Sequence, residues 1–589
     1  MKILLVAVNA KYIHSNLAVY SLRAYVKKYR NNIELAEYTI NNQREDILKE
    51  IYKKNADVVA FSCYIWNIEI ITQVVAELKK IQPEVKIWFG GPEVSYDAKA
   101  SLSKISGLDG IIIGEGEQTF LELVEYYHGN GKELKQIDGL AFKESAGINP
   151  KTVCETDTAV NLADNITVTS DRRPLSLDDI LFPYEETEAF KNKIIYYESS
   201  RGCPFSCSYC LSSIDKRVRI RNIDLVKKEL QFFIDHRVTQ VKFVDRTFNC
   251  KKEHAIQVWQ YLKDNDNGFT NFHFEIAADL LDEEELALLS SLRPGQVQLE
   301  IGVQSTNPAT VHAIHRKMDF NRISQNVMRI RSEHNIHQHL DLIAGLPLED
   351  YHSFAKSFND VYQLKPDQLQ LGFLKVLKGS LMEEDTKAYG IVAYDTPPYE
   401  VLKTSYLSFG EVLKLKSVCE MIEIYYNSGQ FVYTIQFLEH FFDKPFDLYQ
   451  ELGEFYEKSG QELLAHSRIK RYEILLDFYI NNVLKLIQEE EKQDLIAVFK
   501  EIMVMDLYLR EDLKSRPSFS PNPLKYKDLR DRCDIPDMDR KDIHIEFFHY
   551  NIAASCEAGR AIKKDDLLLF DYSNRDPLSR GAKLVPLSL

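Results

Sequence analysis

Cys203, Cys207 and Cys210 fall within eight residues, in the run Ser199-Ser200-Arg201-Gly202-Cys203-Pro204-Phe205-Ser206-Cys207-Ser208-Tyr209-Cys210. The spacing CxxxCxxC lets one tight loop aim three sulfurs at a single object. A 4Fe–4S cube takes Cys thiolates on its irons. Three such ligands leave one iron open, and an open iron is a place for chemistry. Structural zinc is the competing reading. It wants a fourth ligand and commonly shows two separated CxxC pairs. No second pair exists here, so Cys250 or a histidine would have to complete a zinc site. Three inert core thiols are the remaining reading, and they leave the spacing unexplained.

An apolar run at 194–197 reads as the strand that delivers this loop. Cys203-Pro204-Phe205 and Ser208-Tyr209-Cys210 resemble the cluster loop of radical S-adenosylmethionine (SAM) enzymes. The resemblance implies that the open iron chelates the amino and carboxylate groups of SAM. It also implies that Tyr209 lies near the adenine.

Strand and helix patterns then alternate along 194–400. Strands are expected at 194–197, 240–244, 272–277, 297–302, 339–343 and 368–373, with amphipathic helices such as 224–236 and 322–334 between them. That rhythm suits a partial (β/α)6 barrel of TIM type, whose chemistry sits at the strand carboxyl ends. Asp245-Arg246-Thr247-Phe248-Asn249 follows the second strand and resembles an Asp-containing variant of the family's amino-group motif. The fourth strand reads Glu300-Ile301-Gly302-Val303-Gln304-Ser305, and the fifth ends in Gly345-Leu346-Pro347; both resemble family patterns. Glu300, Gln304 and Gly345 are therefore the SAM contacts that the resemblance implies, and Asp245 either a contact to the SAM amino group or part of the substrate pocket. For Glu275, Asp279 and Asp341 a rim salt bridge is the alternative. The run Lys216, Arg217, Arg219 and Arg221 suits either an anionic ligand or an ion-paired rim.

Upstream, residues 2–8, 57–64 and 85–90 are buried-strand runs, with 33–38 and 110–113 as further strands. Helical spacing marks 16–28, 43–53, 67–80 and 119–128. This order predicts a Rossmann-like, doubly wound parallel sheet over residues 1–145. Ligands of such sheets bind at the strand carboxyl ends. The loops there are 9–16, 62–67, Gly90-Gly91-Pro92-Glu93 and Gly114-Glu115-Gly116-Glu117. There is no GxGxxG, so a dinucleotide is not expected. The Gly-rich loops resemble the cobalamin-binding domain that precedes the radical SAM domain in one large subfamily. Asn9, Tyr12, Ser62, Tyr64, Trp66, Gly90, Gly91, Pro92, Glu93, Gly114, Glu115, Gly116 and Glu117 are the implied cobalamin contacts, with Tyr12, Tyr64 and Trp66 covering its lower face. The DxHxxG signature is absent. His14 lies in the first loop but its surroundings do not match, so cobalamin without a His on cobalt is expected. Ordinary aromatic packing, or a domain that has lost cobalamin, is the bland alternative.

Residues 146–193, mixed in Asn, Thr, Asp and Pro, read as a linker. Beyond 400 the alternation stops. Helices are expected at 407–427, 433–442, 446–459 and 472–488, their aromatics forming core, with a small β element at 543–549 and 567–572. This mostly α-helical domain (401–589) carries no recognised catalytic motif.

The chain has 589 residues and a net charge of -15, with 45% hydrophobic and 27% charged residues. That balance argues against a broad nucleic-acid surface. Nine cysteines, an odd number with only three clustered, fit a reducing cytoplasm better than a disulfide framework. No stretch reaches the ~20 apolar residues of a membrane span. The resemblance as a whole implies an enzyme using a 4Fe–4S cluster, SAM and cobalamin, fed by an external donor such as flavodoxin or ferredoxin. SAM would be cleaved to methionine and a 5′-deoxyadenosyl radical, most commonly for methylation of an unactivated carbon of an unnamed substrate. Three alternatives stand beside it: another cobalamin-dependent rearrangement or cyclisation, tRNA methylthiolation, and a non-enzymatic cobalamin or redox sensor. Methylthiolation would need a second three-Cys set, and the N-terminal domain has only Cys63.

Overall fold

Ile3–Asn9 (β1) is buried at all seven positions, as a strand covered on both faces must be. It pairs in parallel with Ile33–Thr39 (β2) on one side and Val58–Ser62 (β3) on the other. Lys86–Gly90 (β4) and Gly110–Ile112 (β5) extend the parallel sheet, and Leu140–Lys143 (β6) and Ile166–Val168 (β7) close it antiparallel. The strand order is β2-β1-β3-β4-β5-β6-β7. The winding reverses between β1 and β3, so the loops after those strands open a crevice between them. Helix Ile68–Ile81 buries Ile68, Ile71, Val74, Val75 and Leu78, the i, i+3, i+4 stripe of its sequence. These side chains pack with Leu4, Val6, Phe61 and Phe89 from the strands.

The computed structural model describes residues 1–144, 165–513, 515–520 and 542–587. Cys154, Cys533 and the part of the expected linker from 146 to 164 lie outside them. The rest of that linker is not featureless, because Ile166–Val168 belongs to the N-terminal sheet. A three-residue edge strand is too short to show a period.

Two compact units emerge: Met1–Glu300 with Val311–Asp319 and Phe373–Thr404, and Ile301–Thr310 with Phe320–Gly372 and Ser405–Leu589. In the first unit, Ile195–Tyr197 (β8) is followed by Ser200–Arg201 (β9), which pairs antiparallel with Arg219–Ile220 (β10). The three-Cys run is thus the loop of a small hairpin. Gln240–Phe243 (β11) lies parallel between β8 and Asn271–Ile276 (β12). Val297–Gln304 (β13) begins in the first unit and ends in the second. His337–Ala344 (β14) and Gln368–Phe373 (β15) complete the six strands expected for the barrel. The fold is mixed α/β, as the alternation implied. Val392–Ala393 (β16) and Val401–Lys403 (β17) form a hairpin in the segment that rejoins the first unit.

The second unit is mostly helical: Phe409–Ile422 running on as a π-turn over Glu423–Asn427, then Val432–Glu439, Pro445–Lys458, Arg468–Asn481 and Glu489–Arg510. Tyr425, Phe437, Tyr456, Tyr472, Phe478 and Tyr479 are buried there, as core aromatics should be. The 22-residue helix Glu489–Arg510 is not among the helices that the sequence pattern predicts. The preceding helix breaks at Asn481, earlier than expected, and a fresh start at Glu489 places acid where the helix dipole favours it. Ile543–Tyr550 (β18), Lys563–Asp571 (β19) and Lys583–Leu587 (β20) form a three-stranded antiparallel sheet. No helix among the described residues is long and apolar enough to cross a membrane.

Candidate functional site

Asp245, just past β11, anchors the entry to the cysteine loop. Its carboxylate accepts from Ser199 N (2.9 Å), Ser199 Oγ (2.7 Å) and Ser200 Oγ (2.6 Å). Ser199 Oγ spends its proton on Asp245, so the contact at 2.9 Å from His254 Nε2 is a donation by a neutral, Nε2-protonated ring. Burial pushes Asp245 up to about 6 against those hydrogen bonds, and drives His254 down to about 4. Gly202 then turns the chain at φ +97°, where a Cβ would lie 2.3 Å from Arg217 O. Cys203 N donates to Asp215 O, Cys210 N to Cys207 O, and Ser213 Oγ to the carbonyls of Cys207 and Cys210.

Cys203 and Cys207 are buried and Cys210 is half-buried, all as free thiols. Thr247 Oγ1 lies 3.6 Å from Cys203 Sγ. Arg316 Nη1 lies 3.7 Å from Cys207 Sγ and donates to Tyr209 Oη at 3.3 Å. Burial raises the Cys207 thiol, and Arg316 offsets only part of that rise. Structural zinc would want a fourth ligand, whereas a 4Fe–4S cube takes Cys thiolates and with three of them keeps one iron open. Three free thiols on the loop of one hairpin fit the cluster by the chemistry of the donor set. Cys250 is half-buried, and burial, helped by Cys203, pushes its thiol up to about 11.

Still in the first unit, a cavity of about 620 Å³ opens among Asn9, His14, Tyr64, Trp66, Tyr196 and Arg246, with Gly114, Glu115, Gly116, Glu117 and Arg201 along one wall. A narrow slot of about 130 Å³ adjoins the same loops, lined by Ser62, Gly90, Gly91, Gly114 and Gly116 with Ala18 and Ala60. Gly91 sits at φ +114°, and a Cβ there would meet Cys63 O at 2.5 Å. Beyond Gly114 there is open space within 4 Å of where a Cβ would be. Asn67 pins the neighbouring loop by donating to Val8 O and Ser62 O, both at 2.9 Å. The rings of Tyr64 and Trp66 stack at 4.3 Å, with Trp66 43% exposed. A glycine-lined slot beside an aromatic-floored cavity fits a bulky, flat cofactor such as a corrin.

Several expected contacts have other work. Tyr12 is 68% exposed, lies under the Lys193 ammonium and does not line the cavity. Pro92 opens the short helix Pro92–Ser95, and Glu93 is bound by Lys378 and Tyr399. Glu117 pairs with Arg201 at 2.7 Å; Glu115 pairs with Arg201 and Arg219. Asp245, buried, accepts three hydrogen bonds from Ser199 and Ser200 at the entry to the cysteine loop. Glu300 is held by Lys242 at 2.8 Å and faces His273 at 3.0 Å. Gln304 (φ +73°) and Gly345 (φ +84°) belong to the second unit. The basic run is an ion-paired rim: Arg217 with Asp215, Arg219 with Glu115, Arg221 with Glu229. Conversely His14, set aside in the sequence, lines the cavity with Nδ1 2.6 Å from Tyr196 Oη. Burial, then Lys11 and Lys242, hold its ring below the usual histidine range. Arg316 carried no motif; only the fold brings it to the site.

Residues 3–124 match the B12 binding domain family, residues 197–361 the Radical SAM superfamily, and residues 387–570 a family described as a protein of unknown function, DUF4080. The chain is 30% identical over 216 residues to the uncharacterized methyltransferase PH0819 of Pyrococcus horikoshii, covering 36% of this chain and 44% of that protein. It is 25% identical over 332 residues to the cobalamin-dependent radical SAM methyltransferase TokK of Streptomyces tokunonensis, covering 52% and 44%. The chain thus spans less than half of either relative. Among solved structures, the cobalamin-dependent SAM radical enzyme OxsB with aqua-cobalamin superposes with a TM-score of 0.58 at 12% identity, over 86% of this chain and 80% of that one. At that identity the likeness is one of fold.

Proposed function

We propose that this chain, carrying a B12-binding domain followed by a radical SAM domain, is a cobalamin-dependent radical SAM enzyme that methylates an unactivated carbon. The observation that carries the reading is the trio of free thiols on a single hairpin loop, in the same compact unit as the glycine-lined slot. When bound, the cluster supplies an electron for reductive cleavage of SAM, and cobalamin supplies a carrier for the methyl group.

The chain's own part is positioning. Cys203, Cys207 and Cys210 would hold the cluster as thiolates, and Arg316 beside Cys207 and Tyr209 favours that charge. Asp245 and His254 fix the strand that delivers the loop. Gly90, Gly91, Gly114 and Gly116 leave backbone-lined room for cobalamin, and Tyr64 with Trp66 offers it an aromatic face. A one-electron donor of the flavodoxin or ferredoxin kind is the partner this chemistry asks for, and the cytoplasm is the compartment.

The test is anaerobic purification with reconstituted cluster and cobalamin, followed by a SAM-cleavage assay. Cys207→Ala is expected to abolish 5′-deoxyadenosine formation; undiminished cleavage would refute the assignment. Comparison of metabolites between cells with the wild type and with Cys207→Ala then reads the product. A mass gain of one methyl supports methylation, and an isomerised or cyclised product supports the rearrangement reading.

A further inference from the structure

After β15 the chain returns to the first unit over Phe373–Thr404. This strap touches two loops at once. On one side Lys378 Nζ donates to Glu93 Oε1 at 2.8 Å, and Tyr399 Oη donates to the same oxygen. The Glu93 side chain is only 3% exposed, so these donors satisfy a buried carboxylate. Lys378 also lies 5.1 Å from the Tyr399 ring centroid. Next to it, Gly379 at φ +79° packs on Tyr96, where a Cβ would fall 2.6 Å from the ring. On the other side Met382 N donates to Ser208 O at 2.9 Å, inside the cysteine loop.

Glu93 and Tyr96 follow Gly90 and Gly91, which line the slot. Ser208 lies between Cys207 and Cys210. One short segment therefore grips the loop proposed to hold cobalamin and the loop proposed to hold the cluster.

We propose that the strap Phe373–Thr404 couples the two cofactor sites, with Lys378 and Tyr399 as positioning residues and Glu93 as their anchor. The inference rests on the functional reading above. Loading one site orders a loop that the strap shares with the other, so each cofactor favours the other's binding, reciprocally.

The experiment titrates full-length protein with aquacobalamin anaerobically, before and after cluster reconstitution, and records the reduced-cluster electron paramagnetic resonance spectrum with and without cobalamin. In the wild type, the cluster is expected to tighten cobalamin binding about fivefold or more, and cobalamin to alter the cluster spectrum. Lys378→Met and Tyr399→Phe should still load iron and cobalamin, but with one cobalamin Kd regardless of the cluster and an unresponsive spectrum. Lys378→Arg, which keeps the cation, should restore part of the coupling. Equal wild-type Kd values with and without cluster overturn the proposal, as does coupling that survives in Lys378→Met and Tyr399→Phe. If Lys378→Met does not fold, the milder Tyr399→Phe decides alone. Wild type that takes up no cobalt or no iron sinks both this proposal and the functional reading; full loading without coupling sinks only the strap.

Discussion

Ser199 Oγ stands between two buried groups that titrate in opposite senses. His254 keeps a neutral ring down to about pH 4 because burial disfavours its charge, whereas an unfolded histidine takes a proton near 6.5. Its contribution is complete above the unfolded value and is lost as pH falls towards about 4. Asp245 is pushed up to about 6, so its native carboxyl binds a proton where the unfolded one does not, and its contribution weakens as pH rises through that window. The two slopes nearly cancel in the wild type. His254→Gln removes one of them. The stability gap between wild type and variant should shrink by roughly 3 kcal/mol from about pH 7 to about pH 4. Thermal midpoints of the apo-protein across that range measure it, and parallel curves would contradict it. None of this is legible in the sequence. Asp245 was visible as a carboxylate at a strand end, but its partners lie 46 and 45 residues away in sequence, and pairing at that distance leaves no local trace. Cys203, Cys207 and Cys210 were legible because their spacing alone limits what one loop can do.

The loop between β9 and β10 shows how an element's shape is set by one backbone position. β9 and β10 have two residues each, too short for any period, so the sequence marked the cysteines without the hairpin that frames them. The long buried strands β1 and β3 and the amphipathic helix Ile68–Ile81 were legible because burial on both faces, or on one stripe, forces a composition. Gly202 makes the hairpin loop possible by accepting φ +97° with Arg217 O only 2.3 Å from where a Cβ would sit. Gly202→Ala must either strain or move the loop, at a cost of about 1–3 kcal/mol. The expected result is a loss of at least about half the iron bound per chain after reconstitution, since ligand placement suffers before global stability does. Gly268→Ala is the control: φ is +71° there, but nothing lies within 4 Å of the added carbon. Equal iron in the two variants would show that the Gly202 turn does not set the thiol geometry.

At the scale of the molecule, the seam between the N-terminal sheet and the cysteine hairpin is electrostatic. Arg201 meets Glu198 at 2.8 Å, Glu117 at 2.7 Å and Glu115 at 3.1 Å, while Arg219 takes the other side of Glu115. The sequence displayed these charges as a Gly-Glu-Gly-Glu loop and an Arg beside a cysteine. Their pairing joins segments far apart in sequence within the first unit, so the glutamates read as ligand contacts. Burial alone would raise Glu117, but the Arg201 guanidinium more than offsets it and holds the carboxyl below its usual range. The stability from that depressed value is present above the ordinary carboxylate range and is lost as pH falls through the folded value. Arg201→Met leaves Glu117, whose side chain is 6% exposed, without its counter-ion. Breaking a buried pair from one side costs about 3–5 kcal/mol. The penalty should be greatest near neutral pH and shrink on acidification, as the stranded Glu117 takes up a proton. Adding Glu117→Gln to Arg201→Met removes the uncompensated charge and should recover a large part of the lost midpoint. That recovery separates an electrostatic seam from simple loss of packing by a long side chain. If the double variant melts no higher than Arg201→Met alone, shape rather than charge holds the sheet and the hairpin together.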